Sequence, residues 1–353
     1  MASRRAFLAG LAAAAMPKPG WAAVGNPAFL AAGKTGEAYE ICGLSAAGEI
    51  LFRQPLPARG HAAAAHPLRP EAVAFARRPG TFALVLDCVT GAVRHRLTPP
   101  EGRQFNGHGA FSADGSLLMT SEVVAEGSAG RIGLWDGRTY ARLGEWDSGG
   151  IGPHDMKRLP SGALVVANGG IATDPGDRSK LNIDTMRPNL TLLTSDGKVL
   201  DQAELDAGLH QNSIRHLALT GDGVAFAMQW EGDAAEPVPL LGLWTPGAAP
   251  VLCPPAEAEM FAMKGYAGSI AAGPAGIGIT SPKGGSVMLF DTAGAYLATH
   301  RRADVCGLAA LDSGFLASDG GGALLRVTAA GMEPLASGGP QWDNHVVPVG
   351  VAG

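Results

Sequence analysis

A histidine recurs at an equivalent place in a repeating unit of this chain, and this recurrence limits the folds that the chain can adopt. The recurring residues are His61, His108, His154, His216 and His345, with Cys306 at the same place in a sixth unit. Consecutive members lie about 40–60 residues apart, with one double interval before Cys306, and a repeat of this length built from short strands is typical of a β-propeller. Equivalent positions of every blade in a propeller face one central axis. The spacing therefore predicts a ring of imidazoles around a channel.

Each unit contains the same succession of strands and turns. The histidine-bearing strand comes first and is followed by a glycine-containing turn such as Asp114-Gly115, two apolar strands, a second turn and a last strand. The segments Phe82–Asp87, Arg131–Asp136 and Val287–Asp291 align as third strands, and their β-branched and aromatic residues favour that structure.

Six units are complete, and two terminal fragments supply the parts of a seventh. The segment from Trp342 to Val349 contains only a first strand, whereas the segment from Phe29 to Leu56 contains only later strands. Pairing them closes the ring and removes exposed sheet edges. We therefore expect residues 23–353 to form a single all-β domain, a seven-bladed propeller.

The N-terminus has the pattern of an export signal. Ser3-Arg4-Arg5-Ala6-Phe7-Leu8 matches the twin-arginine motif, an apolar run extends to Met16, and small residues flank Trp21. We expect residues 1–22 to be a twin-arginine signal peptide that is cleaved after Ala22, which directs the folded protein to the periplasm. No apolar stretch is long enough to span a membrane.

Composition excludes several classes of protein. Hydrophobic residues make up 46% and charged residues 17% of the chain, which is typical of a globular protein. The formal net charge of −5 gives no reason to expect nucleic-acid binding. The four cysteines form no CxxC pair, so we expect mostly buried free thiols. We also expect a monomer.

Three loops predicted at one face of the ring are unusually long. They connect second and third strands in blades two to four, and run from Ser121 to Gly130, Gly169 to Pro188 and Glu231 to Pro239. Long loops in a compact fold often carry function. Here we expect Glu122, Arg187 and Glu231 to contact a ligand or a partner near the channel mouth.

The ring itself has the chemistry of a metal site. Neutral imidazole binds iron, copper and zinc, and a thiolate at Cys306 favours softer ions. We therefore expect an iron or copper ion to be bound by His61, His108, His154, His216 and His345, with Cys306 as a further candidate ligand. The residues expected to shape this site are Asp155, Asn168, Arg215, Asn344 and His210.

Two other interpretations of the ring remain open. Polar residues at the start of inner strands also satisfy buried polar groups of the neighbouring blade, without binding anything. Imidazoles at the axis also serve as general bases for a substrate. No Gly-x-Ser-x-Gly or His-Glu-x-x-His sequence occurs, so no hydrolase or zinc-protease motif supports the second interpretation.

Several longer motifs resemble a known bacterial family. These motifs are Gly152-Pro153-His154-Asp155, Val166–Gly170, Lys180–Pro188, Ser213–Leu217 and Trp342–His345. They resemble domain of unknown function 1513 over essentially the whole mature chain. The resemblance implies an exported seven-bladed propeller of the quinoprotein or YVTN type, and a link to iron acquisition, since members are often encoded near imelysin-type iron-regulated proteins. It supplies no activity. One departure is the sequence Thr120-Ser121-Glu122, where relatives more often have Thr-Glu-Asn.

These observations favour a periplasmic protein that binds a metal ion or assists iron acquisition through its channel histidines. An alternative is a propeller enzyme, lactonase-like or an oxidoreductase, with its substrate at the same face. A third function is a protein-interaction platform, in which the long loops of blades two to four dock a periplasmic or membrane protein of an iron-uptake system.

Overall fold

The computed structural model describes residues 21–25 and 27–349, and these residues form a seven-bladed β-propeller. Each blade is a four-stranded antiparallel sheet. The predicted fold class and the predicted number of blades are confirmed. Most of the predicted signal peptide lies outside the described residues. The predicted cleavage site falls within a short 3₁₀ turn, Trp21–Val24.

The first three blades follow one another along the chain. Blade one contains β4 (Gly60–Ala65), β5 (Glu71–Ala76), β6 (Ala83–Asp87) and β7 (Ala92–Leu97). Blade two contains β8 (Arg103–Phe111), β9 (Leu117–Val124), β10 (Ala129–Asp136) and β11 (Arg142–Ile151). Blade three contains β12 (Pro153–Arg158), β13 (Leu164–Asn168), β14 (Asn189–Leu193) and β15 (Val199–Glu204).

The next three blades continue in the same order. Blade four contains β16 (Asn212–Thr220), β17 (Gly223–Trp230), β18 (Leu241–Trp244) and β19 (Val251–Leu252). Blade five contains β20 (Ser269–Gly273), β21 (Gly276–Ser281), β22 (Ser286–Phe290) and β23 (Tyr296–Arg301). Blade six contains β24 (Val305–Ala310), β25 (Phe315–Asp319), β26 (Leu324–Thr328) and β27 (Gly331–Ala336). Besides Trp21–Val24, the helical elements of the described residues are 3₁₀ turns at Ile183–Thr185 and Ala207–Leu209 and the short helix α1 (Glu257–Ala262).

The seventh blade joins the two ends of the chain, as the terminal fragments predicted. It contains β28 (Gln341–Pro348), β1 (Phe29–Thr35), β2 (Ala38–Leu44) and β3 (Ile50–Leu56). The innermost strand β28 pairs antiparallel with β1, and Val349 N donates a hydrogen bond of 2.9 Å to Ala28 O where the two segments meet. The ring is therefore closed by main-chain pairing.

Burial follows the position of a strand within its blade. Strand β5 is buried along its whole length, whereas five of the six residues of the outermost strand β7 are exposed. Neighbouring blades cover both faces of the middle strands, so these strands carry continuous apolar runs with large buried side chains such as Phe75, Phe226 and Phe315. Each such side chain stabilises the fold by about 1.5–3 kcal/mol.

The loop prediction was right for two blades and wrong for one. Residues 169–188 of blade three and 231–240 of blade four connect second to third strands without further strand structure. In blade two, however, β9 runs on to Val124 and β10 begins at Ala129, so only residues 125–128 form the turn. Glu122 is therefore not a loop residue. It lies in β9 with 0% exposure, because Arg142 forms an ion pair with its carboxylate across the sheet.

Two further expectations concern the cysteines and the membrane. All four cysteines are free and buried, as expected. Among the described residues, no helix is long and apolar enough to cross a membrane.

Candidate metal centre

The inner strands bend where they carry the predicted ligands. In blades one, two, three, four and seven, the pairing of the inner strand shifts register beside the histidine. Cys306 lies in a similar shift in β24, whereas β20 of blade five pairs without one. A β-bulge leaves extra residues unpaired and redirects their side chains. The bulges therefore account for how the five imidazoles leave the pleat and turn toward the axis.

The five imidazoles meet. Neighbouring ring centroids lie between 4.5 Å, for His61 and His345, and 5.0 Å, for His61 and His108. The distances from His154 to His108 and to His216 are 4.9 and 4.7 Å. None of the five residues is more than 8% exposed. The histidines thus form one compact, buried cluster.

Two overlapping groups within this cluster have the geometry to hold a metal ion. His61, His108 and His345 form one group, and His108, His154 and His216 form the other, with ligand nitrogens within 4.8 Å of one another in each. The Nε2 atoms of His61 and His345 are 3.3 Å apart. Two nitrogens bound tetrahedrally to one ion at about 2.0–2.1 Å are about 3.3 Å apart. His108 belongs to both groups and is the central ligand candidate.

Many of the cluster nitrogens have no hydrogen-bond partner among the described residues. They are Nδ1 of His61, Nε2 of His108, both ring nitrogens of His154 and Nδ1 of His216. A buried polar atom without a partner costs about 1–3 kcal/mol. A structural histidine would satisfy a neighbouring group, so this arrangement favours a bound ligand over a purely structural function for the cluster.

Four of the five imidazoles are held in the form that binds metals. Burial lowers the pKa of His61 to about 4, although the neighbouring carboxylate of Asp343 acts in the opposite direction. Burial also places the pKa values of His154, His216 and His345 well below the usual value, and the neighbouring imidazoles lower them further. These four rings are neutral at neutral pH, and a neutral ring offers a lone pair to an ion.

Two buried carboxylates face the cluster from neighbouring blades. Asp155 Oδ1 lies 3.3 Å from Nδ1 of His108, and Asp343 Oδ1 lies 3.6 Å from Nδ1 of His61. Burial raises the pKa of each carboxyl, but the nearby positive charges and hydrogen bonds outweigh it, and both pKa values fall below the usual range. An ionised carboxylate at Nδ1 favours a proton there and leaves Nε2 free for a metal.

Gly107 makes room for one of the ligands. Its φ is +98°, and a Cβ atom at this position would stand 2.6 Å from Cδ2 of His61. Glycine alone adopts this conformation at little cost and leaves this space free. The bulge of blade two therefore positions His61 of blade one as well as its own His108.

The other predicted site residues lie at different places. The thiol of Cys306 is 3.4 Å from Trp342 O and 3.5 Å from Ser318 O, burial raises its pKa to about 12, and it belongs to neither ligand group. Asn168 is buried and joins blades two and three through Ser148. His210 Nδ1 lies 2.9 Å from Ala207 O, away from the cluster.

The predicted contacts of the loops are mostly ion pairs. Arg187 pairs with Glu204 at an exposed position. Glu231 pairs with Lys180, which links the long loops of blades three and four.

Asn344 Nδ2 donates to the hydroxyl of Tyr266 at 3.3 Å. Arg215 lies beside His216 and is 2% exposed.

No sequence pattern described above predicted a function for Arg78 or Tyr266. Arg78 lies in the short turn between β5 and β6, beside a second arginine. That pair of adjacent cations was the signal that could have drawn attention to this turn.

The fold and the cluster define a class of protein, a seven-bladed β-propeller with five buried histidines converging at its axis. The chain belongs to the family described as "Protein of unknown function (DUF1513)", which it matches over residues 54–349.

Solved structures share the fold at low identity. The chain is similar to a chain of hydrazine synthase from Kuenenia stuttgartiensis, with 12% identity, a TM-score of 0.60, and 86% of this chain and 91% of that chain covered. It is also similar to a chain in a structure of the mitotic checkpoint complex, with 11% identity, a TM-score of 0.54, and coverage of 79% and 81%. No curated protein matches the sequence. These likenesses concern the fold.

Proposed function

We propose that this protein binds an iron or copper ion in its histidine cluster and serves in the periplasm as a metal-binding or accessory protein of iron acquisition. The convergence of five buried imidazoles, with unpartnered nitrogens, carries this proposal. Either group of three histidines supplies a nitrogen-only ligand set, and such sets suit copper, iron, nickel and zinc. Export in the folded state is compatible with loading the ion before translocation.

Iron and copper are favoured for different reasons. The resemblance to the family implies a link to iron acquisition. Copper binds most strongly among the divalent first-row ions to a given set of nitrogen ligands. In both cases, the carboxylates of Asp155 and Asp343 would orient the ligand rings and increase their basicity.

An enzyme that uses these histidines as general bases is less well supported. A general base works best when its pKa lies near the working pH, whereas the pKa of His61 is lowered to about 4. The interaction platform has one observation in its favour. The ion pair between Lys180 and Glu231 joins two long loops into one surface, which could dock a partner of the uptake system.

Metal analysis of the natively exported protein tests the proposal. We expect the wild type to contain about one ion per chain. His108→Ala removes the ligand shared by both groups and should lose most of this metal. His95→Ala is the matched control, because His95 lies exposed on the outermost strand of blade one.

The outcome separates the alternatives. Equal metal content in the wild type, His108→Ala and His95→Ala would end the metal proposal. Reconstitution of the metal-free protein with Fe²⁺, Cu²⁺ or Zn²⁺, followed by competition with a chelator, then identifies the preferred ion.

A further inference from the structure

A second feature of the channel face is a buried arginine that forms no ion pair with any described residue. Arg215 extends from the bulge of β16, is 2% exposed, and has an Nε atom without a hydrogen-bond partner. The described residues offer its guanidinium no ion pair, and the carboxylate whose charge acts on it, that of Glu231, is itself paired with Lys180. A buried charge is costly unless it is paired and hydrogen-bonded, so this position calls for an anion.

A second arginine approaches the same region from blade one. Arg78 lies in the turn between β5 and β6, is half-buried, and also lacks an ion pair with any described residue. It lines two adjoining cavities together with Arg178 from the long loop of blade three. The first cavity also contains polar side chains of Gln104 and Asn106, and the second contains Arg59 and Arg77.

The positive charges in this region exceed the negative ones. Burial lowers the pKa of Arg78 to about 9, and the charges of Arg215, Arg178 and Arg77 lower it further. The nearby carboxylates are already engaged. Asp343 pairs with Arg59 at 2.6 Å and lies 3.9 Å from Arg77, Glu231 pairs with Lys180, and Asp174 accepts backbone hydrogen bonds from its own loop.

A hydroxyl group completes the set of donors. The hydroxyl oxygen of Tyr266 accepts a hydrogen bond from Asn344 Nδ2, and the described residues provide no acceptor for its own O–H. The tyrosine is close enough to interact electrostatically with Arg78 and Arg215. Two guanidinium groups and a phenol O–H thus interact electrostatically at this face, with few acceptors of their own.

We propose that this face of the channel binds a small oxyanion, a phosphate or a polycarboxylate, between Arg78, Arg215 and Tyr266. The planar fork of a guanidinium matches the paired oxygens that both ligand types present. The site borders the histidine cluster, since Arg215 lies next to His216 in β16. An anion held there would offset the repulsion between these arginines and a cation among the histidines. The anion site itself does not depend on a metal.

Calorimetric titration of the metal-free protein tests this site. Phosphate and citrate are titrated separately, with chloride at the same ionic strength as the reference. We expect saturable one-site binding of phosphate, of citrate or of both. Comparison of the two titrations shows whether the site prefers an inorganic phosphate or an organic polycarboxylate. Arg215→Gln and Arg78→Gln should each weaken that binding at least about tenfold, because a charged hydrogen bond is lost. The matched control is Arg326→Gln, which removes an exposed cation from the third strand of blade six.

Thermal unfolding of the same variants separates a binding site from a structural arginine. Without anion, Arg215→Gln should melt at the wild-type temperature or above, since it removes a buried unpaired charge. Added phosphate or citrate should raise the melting temperature of the wild type and of Arg326→Gln, but not that of Arg215→Gln. Binding that is unchanged in Arg215→Gln, or no stronger for either oxyanion than for chloride, would overturn the proposal. Because no metal is present, failure of the histidine site would not affect these results.

Discussion

Single residues decide whether the imidazoles reach one another. Gly107 has a φ of +98° and lies so close to His61 that a Cβ atom on it would stand 2.6 Å from the imidazole ring. Gly102 has a similar φ of +70°, but a Cβ atom there would meet nothing within 4 Å. Comparison of these two glycines therefore separates backbone strain from steric contact with the cluster.

We expect Gly102→Ala to lower the free energy of unfolding by about 1–2 kcal/mol through backbone strain alone. Gly107→Ala should cost about 1–3 kcal/mol more, because the methyl group overpacks against His61. It should also weaken metal binding, since it displaces a candidate ligand. Urea denaturation and metal titration of both variants check this, and equal results for the two variants would contradict it.

The sequence showed which residues would line the axis, but not whether they would meet. Repeat spacing placed His108 and His154 at equivalent positions of their blades. Their height along the axis depends on bulges in the inner strands, where the pairing with the next strand of the blade shifts register, and the repeat spacing does not show such a shift. Cys306 shares the position and a bulge, yet its thiol faces the carbonyl oxygens of Trp342 and Ser318.

At the scale of elements, the hairpin of β9 and β10 has strand structure where a loop was predicted, and a buried ion pair makes this possible. Glu122 was predicted to lie in a loop, and an isolated carboxylate inside a sheet is costly. Arg142 contacts both carboxylate oxygens, and Thr120 Oγ1 donates to one of them at 2.6 Å. This compensation comes from the fourth strand of the blade, so local sequence patterns could not show it.

Breaking this ion pair should therefore destabilise the whole blade. We expect Arg142→Ala to lower the free energy of unfolding by about 3–5 kcal/mol, because it leaves a buried carboxylate without its charge partner. Arg187→Ala removes an arginine from an exposed pair with Glu204 and should cost about 0–1 kcal/mol. Chemical denaturation measures both values. Similar losses in the two variants would show that burial of Glu122 does not govern the effect.

At the scale of the whole molecule, the histidine cluster should make the stability of the metal-free protein depend on pH. The native pKa of His61 is about 4, and those of His154, His216 and His345 are also lowered, whereas an unfolded histidine titrates near about 6.5. Below that pH the histidines of the unfolded chain bind protons, whereas the histidines of the native cluster stay neutral. Stability is thus fully present above about pH 6.5 and falls as the pH decreases.

Each such histidine should contribute up to about 1.4 kcal/mol per pH unit within this window. The depressed carboxyls Asp155 and Asp343 lose their contribution only below about pH 4, so they do not interfere between pH 5 and 6.5. Urea midpoints of the metal-free wild type should fall across this range. The double variant His154→Leu and His216→Leu should show a shallower dependence, and an unchanged slope would contradict the assignment.

Ring closure was the part of the architecture that the sequence predicted most directly. Each terminal segment lacks the strands that the other one contains, so the two together make one complete blade. The structure confirms this, since β28 forms the inner strand of the blade that contains β1, β2 and β3. The same strand carries His345 and Asp343. Closure of the fold and completion of the histidine cluster therefore depend on one segment of the chain.

Deletion of residues 341–353 should abolish cooperative unfolding and cause aggregation, because it exposes the edge of β1 and opens the ring. His345→Ala should keep the cooperative transition and lose only metal affinity. A permuted chain in which residues 340–349 precede residue 27 restores the closing strand as a hairpin, since Val349 N already bonds to Ala28 O, and this chain should fold. Circular dichroism melting and gel filtration compare the three proteins. A truncated chain that melts cooperatively as a monomer would show that six blades and three strands suffice for the fold.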